Sequence, residues 1–465
     1  MASVEWWIWP LILYSAGLLA ATDALWQGRT AQGTVAWVLA LLLMPALALP
    51  FYAFFGSRRF RAYRASRRRK DNRLGAIERH VRQSISDYLV SPDEVSTPLQ
   101  RLFRLPLISG NETELLINGK DTFNAILNCA QTARHTLCVQ FYTFRDDALG
   151  QHFSDILCNK AAEGVRVYLI YDEIGSGGLD DDFLQEMTDA GVQVSRFNPI
   201  RLRNRTNLNF RNHRKLVIVD NHTAFVGGHN VGVEYLGLDP DFGHWRDTHM
   251  RISGPATLAF QLSFAEDWYW ATGQEPDLCW DAPAPAGPRE IMCINAGPAD
   301  YYESASLYFT HMINSAKRRC WLVSPYFVPD QTVYSALQLA GLRGVDVRII
   351  LPGISDNWMV AQANRSYVAS LSRAQVQFYT YTPGFLHQKI MLIDDEWASV
   401  GSANLDNRSL RINFEIAALV RDAGFAREIE AMLEYDLSKC EPTHVDERWW
   451  KQLLARLLRL LAPVL

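Results

Sequence analysis

The chain has 465 residues, 48% of them hydrophobic, with a formal net charge of −4, enough for two medium domains plus membrane elements. That overall balance points to no partner class; the distribution of charge does. Seven cysteines, an odd number scattered without a CxxC pair, exclude a disulfide framework and a zinc site and read as reduced core residues of a cytosolic body.

Trp6 to Thr22 and Thr34 to Phe55 are apolar, and a helix needs about 20 residues to cross a hydrocarbon core, so residues 1–56 predict a transmembrane hairpin. Trp6, Trp7, Trp9, Trp26 and Trp37 fall near its expected interfaces. No Lys or Arg precedes the first stretch and the second follows at once, which argues against a cleaved signal peptide. Pro45 and Pro50 predict a kink in the second stretch. The intervening loop carries Arg29, whereas Arg58, Arg59, Arg61, Arg64, Arg67, Arg68, Arg69, Lys70 and Arg73 crowd into a basic linker over 57–105. By the positive-inside rule that flank is cytoplasmic, with both termini and the soluble body on the same side. The basic run suits either topology alone or the gathering of anionic lipid, worth about 1 kcal/mol per near-surface charge.

From about residue 106 helical and strand patterns alternate. Asp121 to Arg134 and Gly150 to Ala162 are helical, and Leu137 to Phe144 and Gly164 to Tyr171 are strand-like. The order recurs with helices at Glu303 to Lys317 and Thr332 to Leu342, and strands at Cys320 to Phe327 and Gly344 to Ile350. Such alternation predicts α/β layers in two related halves, 106–285 and 286–440, joined through the proline-rich Pro283 to Pro288.

Each half carries the same phrase. His213-Arg-Lys215 is followed after four residues by Asp220 and after six more by Gly227-Gly228-His229-Asn230; His387-Gln-Lys389 is followed at identical spacing by Asp394 and Gly401-Ser402-Ala403-Asn404. The residues after each lysine read as a short buried strand, whose period of two puts His213 with Lys215, and His387 with Lys389, on one face. Asp220 and Asp394 have the opposite parity at the strand end, where a turn or hydrogen-bonding role fits better than substrate contact. The small residues downstream allow close backbone approach, and the amides of Asn230 and Asn404 can donate to an anionic oxygen. Two histidines, two lysines and two asparagines brought together make a cationic pocket for a phosphoryl group, where catalysis is positioning and charge stabilisation. A single His-x-Lys would read as a solvated strand edge; its exact duplication does not. His222, His229, His244 and His249 lack metal-ligand spacing, and His249 is expected at the pocket wall.

The doubled phrase resembles the HKD signature of the phospholipase D superfamily. Phe141 to Asp147, Arg211 to Lys215, Trp245 to His249 and Ser324 to Asp330, behind the hairpin, are similar to bacterial cardiolipin synthases over nearly the whole chain. One departure is Gln140, where the family pattern has an acid. The resemblance implies two pseudo-symmetric phospholipase D-like α/β sandwich halves sharing one pocket. It implies transfer of a phosphatidyl group between two phosphatidylglycerol molecules, through a phosphohistidine on His213 with His387 as the acid, and without metal or cofactor. It further implies that Glu415 orients His213 and Asp247 orients His387, each across the halves.

At the C-terminus, residues 441–465 include Trp450, Leu453, Leu454, Leu457 and Leu461 on one helical face, with Gln452, Arg456 and Arg459 on another. This amphipathic helix fits a membrane interface, or docking on the body or on a second subunit of a homo-oligomer. The expected partners are phosphatidylglycerol, other anionic phospholipids and the inner (cytoplasmic) membrane, with no nucleic acid. A membrane-tethered HKD phospholipase or nuclease, and a non-enzymatic scaffold, are the rival readings; intact histidines and lysines in both copies weigh against the last.

Overall fold

The computed structural model describes residues 5–27, 31–55, 75–198, 210–355 and 358–443. The basic run 58–73 and the C-terminal helix lie outside them. The chain divides into two units, Met1–Asn72 with Ile200–Asn209, and Arg73–Pro199 with Phe210–Leu465.

In the first unit α1 (Glu5–Gln27) packs on α2 (Ala31–Leu43) and α3 (Pro45–Phe55). The second apolar stretch is thus split at Met44, because Pro45 cannot donate the helical hydrogen bond. Bonds from Met44 N to Ala40 O and from Ala48 N to Met44 O carry the chain through the bend. Gly17 lets α1 approach α2 closely: a Cβ there would lie 2.6 Å from the Leu41 carbonyl oxygen. Asp23 accepts from the Tyr52 hydroxyl at 2.9 Å, so one acid within the apolar helices is hydrogen-bonded. Leu11, Leu19, Leu43 and Trp26 face outward, an apolar exterior that water would penalise. Ile8–Trp26 is long and apolar enough to cross a membrane; Gly33–Leu43 is shorter.

The second unit is built on one fifteen-stranded sheet. Its centre is the antiparallel pair Ile108–Ile117 and Arg289–Ala296, one strand from each half. Outward from Ile108–Ile117 the order is Thr248–Ser253, Thr223–Gly227, Leu216–Val219, Thr136–Phe141, Arg166–Asp172 and Gln193–Phe197. Outward from Arg289–Ala296 it is Glu415–Arg421, Trp397–Gly401, Ile390–Ile393, Arg319–Val323, Asp346–Pro352 and Gln377–Tyr381, with Cys440–Pro442 at the edge. The two halves therefore repeat one topology: a parallel trio, a tight hairpin that carries the repeated phrase, then two antiparallel strands. Where the central pair bulges between Ile108 and Asn111, the Asn111 amide fills the gap, donating to Ile108 O and accepting from Ala256 N. The proline-rich segment is packed rather than loose, since Ala286 N donates to Gly110 O immediately before Arg289 opens its strand.

Local sequence explains the crossovers. Asp147 caps helix Ala148–Ala162 by accepting from Leu149 N and Gly150 N, and Asp330 caps Gln331–Leu342 in the same way. Gly164 and Gly344 then turn the chain at φ +88° and +82°, a conformation that costs glycine little. Among the described residues, helices and sheet enclose an apolar core around Phe123, Phe153 and Val217 in the first half and another around Met312, Leu337 and Val347 in the second.

Candidate active site

Each His-x-Lys enters its hairpin strand from a segment bonded to the opposite half. His213 N donates to Phe414 O and His387 N donates to Arg246 O. Gly384–Leu386 pairs in parallel with His244–Arg246, and Asn212 bridges to Phe414, so both phrases meet at the junction of the halves.

There the two histidines face acids from the other half. His213 Nδ1 lies 3.0 Å from Glu415 Oε2, and His387 Nδ1 lies 2.7 Å from Asp247 Oδ2. With Nδ1 donated, the neutral tautomer leaves Nε2 with a free lone pair. Burial pushes both imidazoles below their ordinary value, His387 to about 3, against the pull of Glu415 and Asp247; Lys215 and Lys389 push the same way as burial. Burial alone would raise the two acids. For Glu415 His213, Lys215 and Ser402 outweigh it, and for Asp247 Lys389, His229 and His387 do. Glu415 also accepts from Ser402 Oγ at 2.6 Å and Asn413 Nδ2 at 3.1 Å. In the first half the serine position is Gly228, where a Cβ would lie 2.0 Å from Asp247 Oδ1; the glycine makes room for the carboxylate.

Lys215 Nζ donates to His213 O at 2.7 Å, Lys389 Nζ donates to His387 O, and both ammoniums are buried. Lys215 also stands 5.4 Å over the Tyr142 ring, which packs at 5.1 Å on His213; Trp245 packs at 5.1 Å on His387. Asn230 is engaged in the wall, donating to Tyr235 Oη at 2.9 Å and accepting from Thr143 N at 3.1 Å. Asn404 is buried at the equivalent place, and its Oδ1 has no hydrogen-bond partner among the described residues. His249 sits behind Asp247 rather than on an open wall, fully buried with its Nδ1 3.3 Å from that of His229.

Asp220 and Asp394 stand apart from these groups, at the far end of the hairpin strands. Asp220 accepts from the backbone of Arg134, His135 and Thr136, and Asp394 from that of Lys317, Arg318 and Arg319. Both have positive φ, 50° and 51°, which Asp and Asn tolerate better than most residues. Each clamps the hairpin to the start of a parallel strand. Asp394→Asn is therefore expected to cost about 1–3 kcal/mol of stability through its weakened hydrogen bonds while sparing turnover per folded molecule. Urea unfolding followed beside activity checks this; a large loss of activity at unchanged stability would contradict it.

The even-numbered residues of each phrase hold the pocket from behind. Arg214 donates to Asp267 Oδ2 and Ser263 Oγ, both at 2.8 Å, and reaches across to Glu415 O and Ala296 O. Asn212 and Gln140 donate to the same Asp267 oxygen, so the glutamine that departs from the family pattern does make a supporting contact. In the second half Gln388 donates to Asp436, whose arginine comes from Arg246 of the first half at 2.7–2.8 Å. The pseudo-symmetric arginine has changed places: Arg214 of the first half corresponds to Gln388 of the second, and Arg246 of the first half corresponds to Phe414 of the second. Polar residues opposite a catalytic face, such as Arg214, are the sequence signal for buried partners, but nothing in the sequence names Asp267 or Asp436.

A family model described as "Cardiolipin synthase, PLD-like domain" matches residues 126–249 and 309–437, which carry both phrases. Cardiolipin synthase A of Pseudomonas putida KT2440 is 44% identical over 98% of this chain and 97% of its own length. The chain belongs to the cardiolipin synthase family. Cardiolipin synthase A of Pseudomonas aeruginosa PAO1 is 45% identical over 97% of this chain and 94% of its own. Among solved structures, the phosphatidylserine synthase of Haemophilus influenzae Rd KW20 aligns over 80% of this chain and 98% of its own with a TM-score of 0.59 at 15% identity. The polyphosphate kinase of Porphyromonas gingivalis aligns over 77% of this chain and 52% of its own, with a TM-score of 0.51 at 14% identity. Both likenesses are of fold, the two-half phospholipase D-like architecture that this cardiolipin synthase family member shares.

Proposed function

We propose that the chain moves a phosphatidyl group from one phosphatidylglycerol to another, releasing glycerol and forming cardiolipin. The observation that carries this reading is the pair of buried histidine–carboxylate couples formed across the halves, flanked by two lysines. His213 Nε2 attacks phosphorus, the bond from phosphorus to the glycerol oxygen breaks, and His387 gives that oxygen a proton. The terminal hydroxyl of a second phosphatidylglycerol then attacks the phosphohistidine, passing its proton to His387 as the P–N bond breaks. Lys215 and Lys389 neutralise the phosphoryl oxygens, with Asn230 and Asn404 framing them.

Burial and Lys389 disfavour the protonated form of His387. A bound phosphodiester supplies the negative charge that offsets the lysines, so protonation of His387 accompanies substrate binding. The apolar helices hold the enzyme in the inner membrane as a multi-pass protein with its body on the cytoplasmic side, where anionic lipid is at hand.

The test is thin-layer chromatography of products from phosphatidylglycerol alone, in chelator, with wild type, His213→Ala and His387→Ala. Cardiolipin and glycerol from wild type only is the expected result. Phosphatidic acid in place of cardiolipin would make the protein a hydrolase.

A further inference from the structure

The halves also differ two residues before each histidine. Phe385, two residues before His387, is fully buried, with Trp245 and Phe242 at 4.7 and 5.3 Å and His387 at 5.8 Å between ring centres. Two residues before His213 stands Arg211. Asn212 and Arg214 both reach Asp267, so Arg211, His213 and Lys215 take the other side of this run. All three meet Tyr142: its ring lies 5.1 Å from that of His213 and 5.4 Å from Lys215 Nζ, and its phenol is electrostatically coupled to Arg211.

Arg211 is half-buried, and its side chain makes no ion pair or hydrogen bond among the described residues. The acid that faces it, Asp172, is already accepting from Ile174, Gly175 and Asn212 backbone N–H groups. Arg408 faces it from the second half. The Arg408 carbonyl accepts from Asn413 N, beside Phe414, whose own N–H donates to Arg211 O. Burial and this like charge both disfavour the Arg211 cation. The fold does not call for it, since phenylalanine serves at the matching place, so an anion is what Arg211 is suited to receive.

We infer that Arg211, with the Arg408 charge facing it, binds the phosphodiester that the acceptor lipid retains, a second anion site beside the reacting phosphorus. The inference rests on the transfer reaction proposed above. Two phosphoryl groups joined by a three-carbon bridge are separated by about the two-residue step of an extended chain, roughly 7 Å, which is the offset between Arg211 and His213. The donor phosphate lies at the histidines and the acceptor phosphate at the arginines, with the bridging glycerol between.

The test offers full-length enzyme in mixed micelles two acceptors for the same donor. One is phosphatidylglycerol itself, scored as cardiolipin; the other is labelled glycerol, scored as label entering phosphatidylglycerol. Free glycerol has no phosphate, so exchange reports the donor step without the second site. Arg211→Gln is expected to lower the ratio of cardiolipin formation to exchange at least ~10-fold, through a raised KM for the acceptor lipid, and Arg211→Lys to restore part of it. An unchanged ratio overturns the second site, whether both rates hold or both fall together. A wild type that gives neither product removes the transfer reading itself, and the site with it.

Discussion

His387→Ala is expected to lose about 10³-fold or more in cardiolipin formation, yet to release one equivalent of alcohol quickly when the donor carries a nitrophenyl leaving group. The geometry behind this is the couple of His387 with Asp247 at 2.7 Å, enclosed by Trp245 and Phe385. Its task in the first step is to protonate glycerol, a poor leaving alcohol, and positioned general acids contribute about 10²–10⁴-fold. Nitrophenolate leaves without a proton, so the first step proceeds and the enzyme stalls as phosphohistidine, because no base remains to activate the acceptor. His213→Ala lacks the atom that bonds phosphorus and is expected to show no burst with either donor. Rapid-quench measurement of nitrophenol per enzyme decides it: a burst from His213→Ala and none from His387→Ala would reverse the two roles. Equal loss in both, with the activated donor, would end the division of labour.

The features that were legible from residues alone are those set by spacing and parity. The doubled phrase placed His213 and Lys215 on one face and Asp220 on the other, and the contacts of Asp220 with residues 134–136 follow that parity. The acids could be matched to opposite halves only through the family resemblance, because pairing at a sequence separation of 202 residues leaves no local trace. Helix Thr257–Thr272 has no local signature for a physical reason: it is buried on nearly every side, so its sequence carries no amphipathic stripe. The joining of both halves into one sheet through Ile108–Ile117 and Arg289–Ala296 was equally hidden, since β-pairing partners are chosen by packing rather than by either strand's own pattern. The exchanged arginines show the same limit. Each buried aspartate depends on one arginine, and nothing local in the sequence says whether it comes from its own half, as Arg214 does, or from across the junction, as Arg246 does.

That dependence gives the largest expected effect on stability. Arg214→Met is expected to destabilise the second unit by about 3–5 kcal/mol, because the buried Asp267 carboxylate would lose its guanidinium partner. Arg214 and Asp267 are 1% and 0% exposed at the side chain, so water cannot take over the lost contact. Asp267→Leu should cost a similar amount, leaving the guanidinium with Ser263 and two carbonyls but no counter-charge. The double variant should lose clearly less than the sum of the two, since an apolar pair leaves neither charge stranded. Arg214 also hydrogen-bonds the carbonyl of Glu415, the residue whose carboxylate holds His213, so Arg214→Met should lose activity even where it remains folded. Chemical unfolding of the detergent-solubilised protein, followed by tryptophan fluorescence across wild type, both single variants and the double, measures the coupling directly. A loss below about 1 kcal/mol for Arg214→Met, or strict additivity in the double variant, would mean that Arg214 and Asp267 do not stabilise the body as a coupled pair.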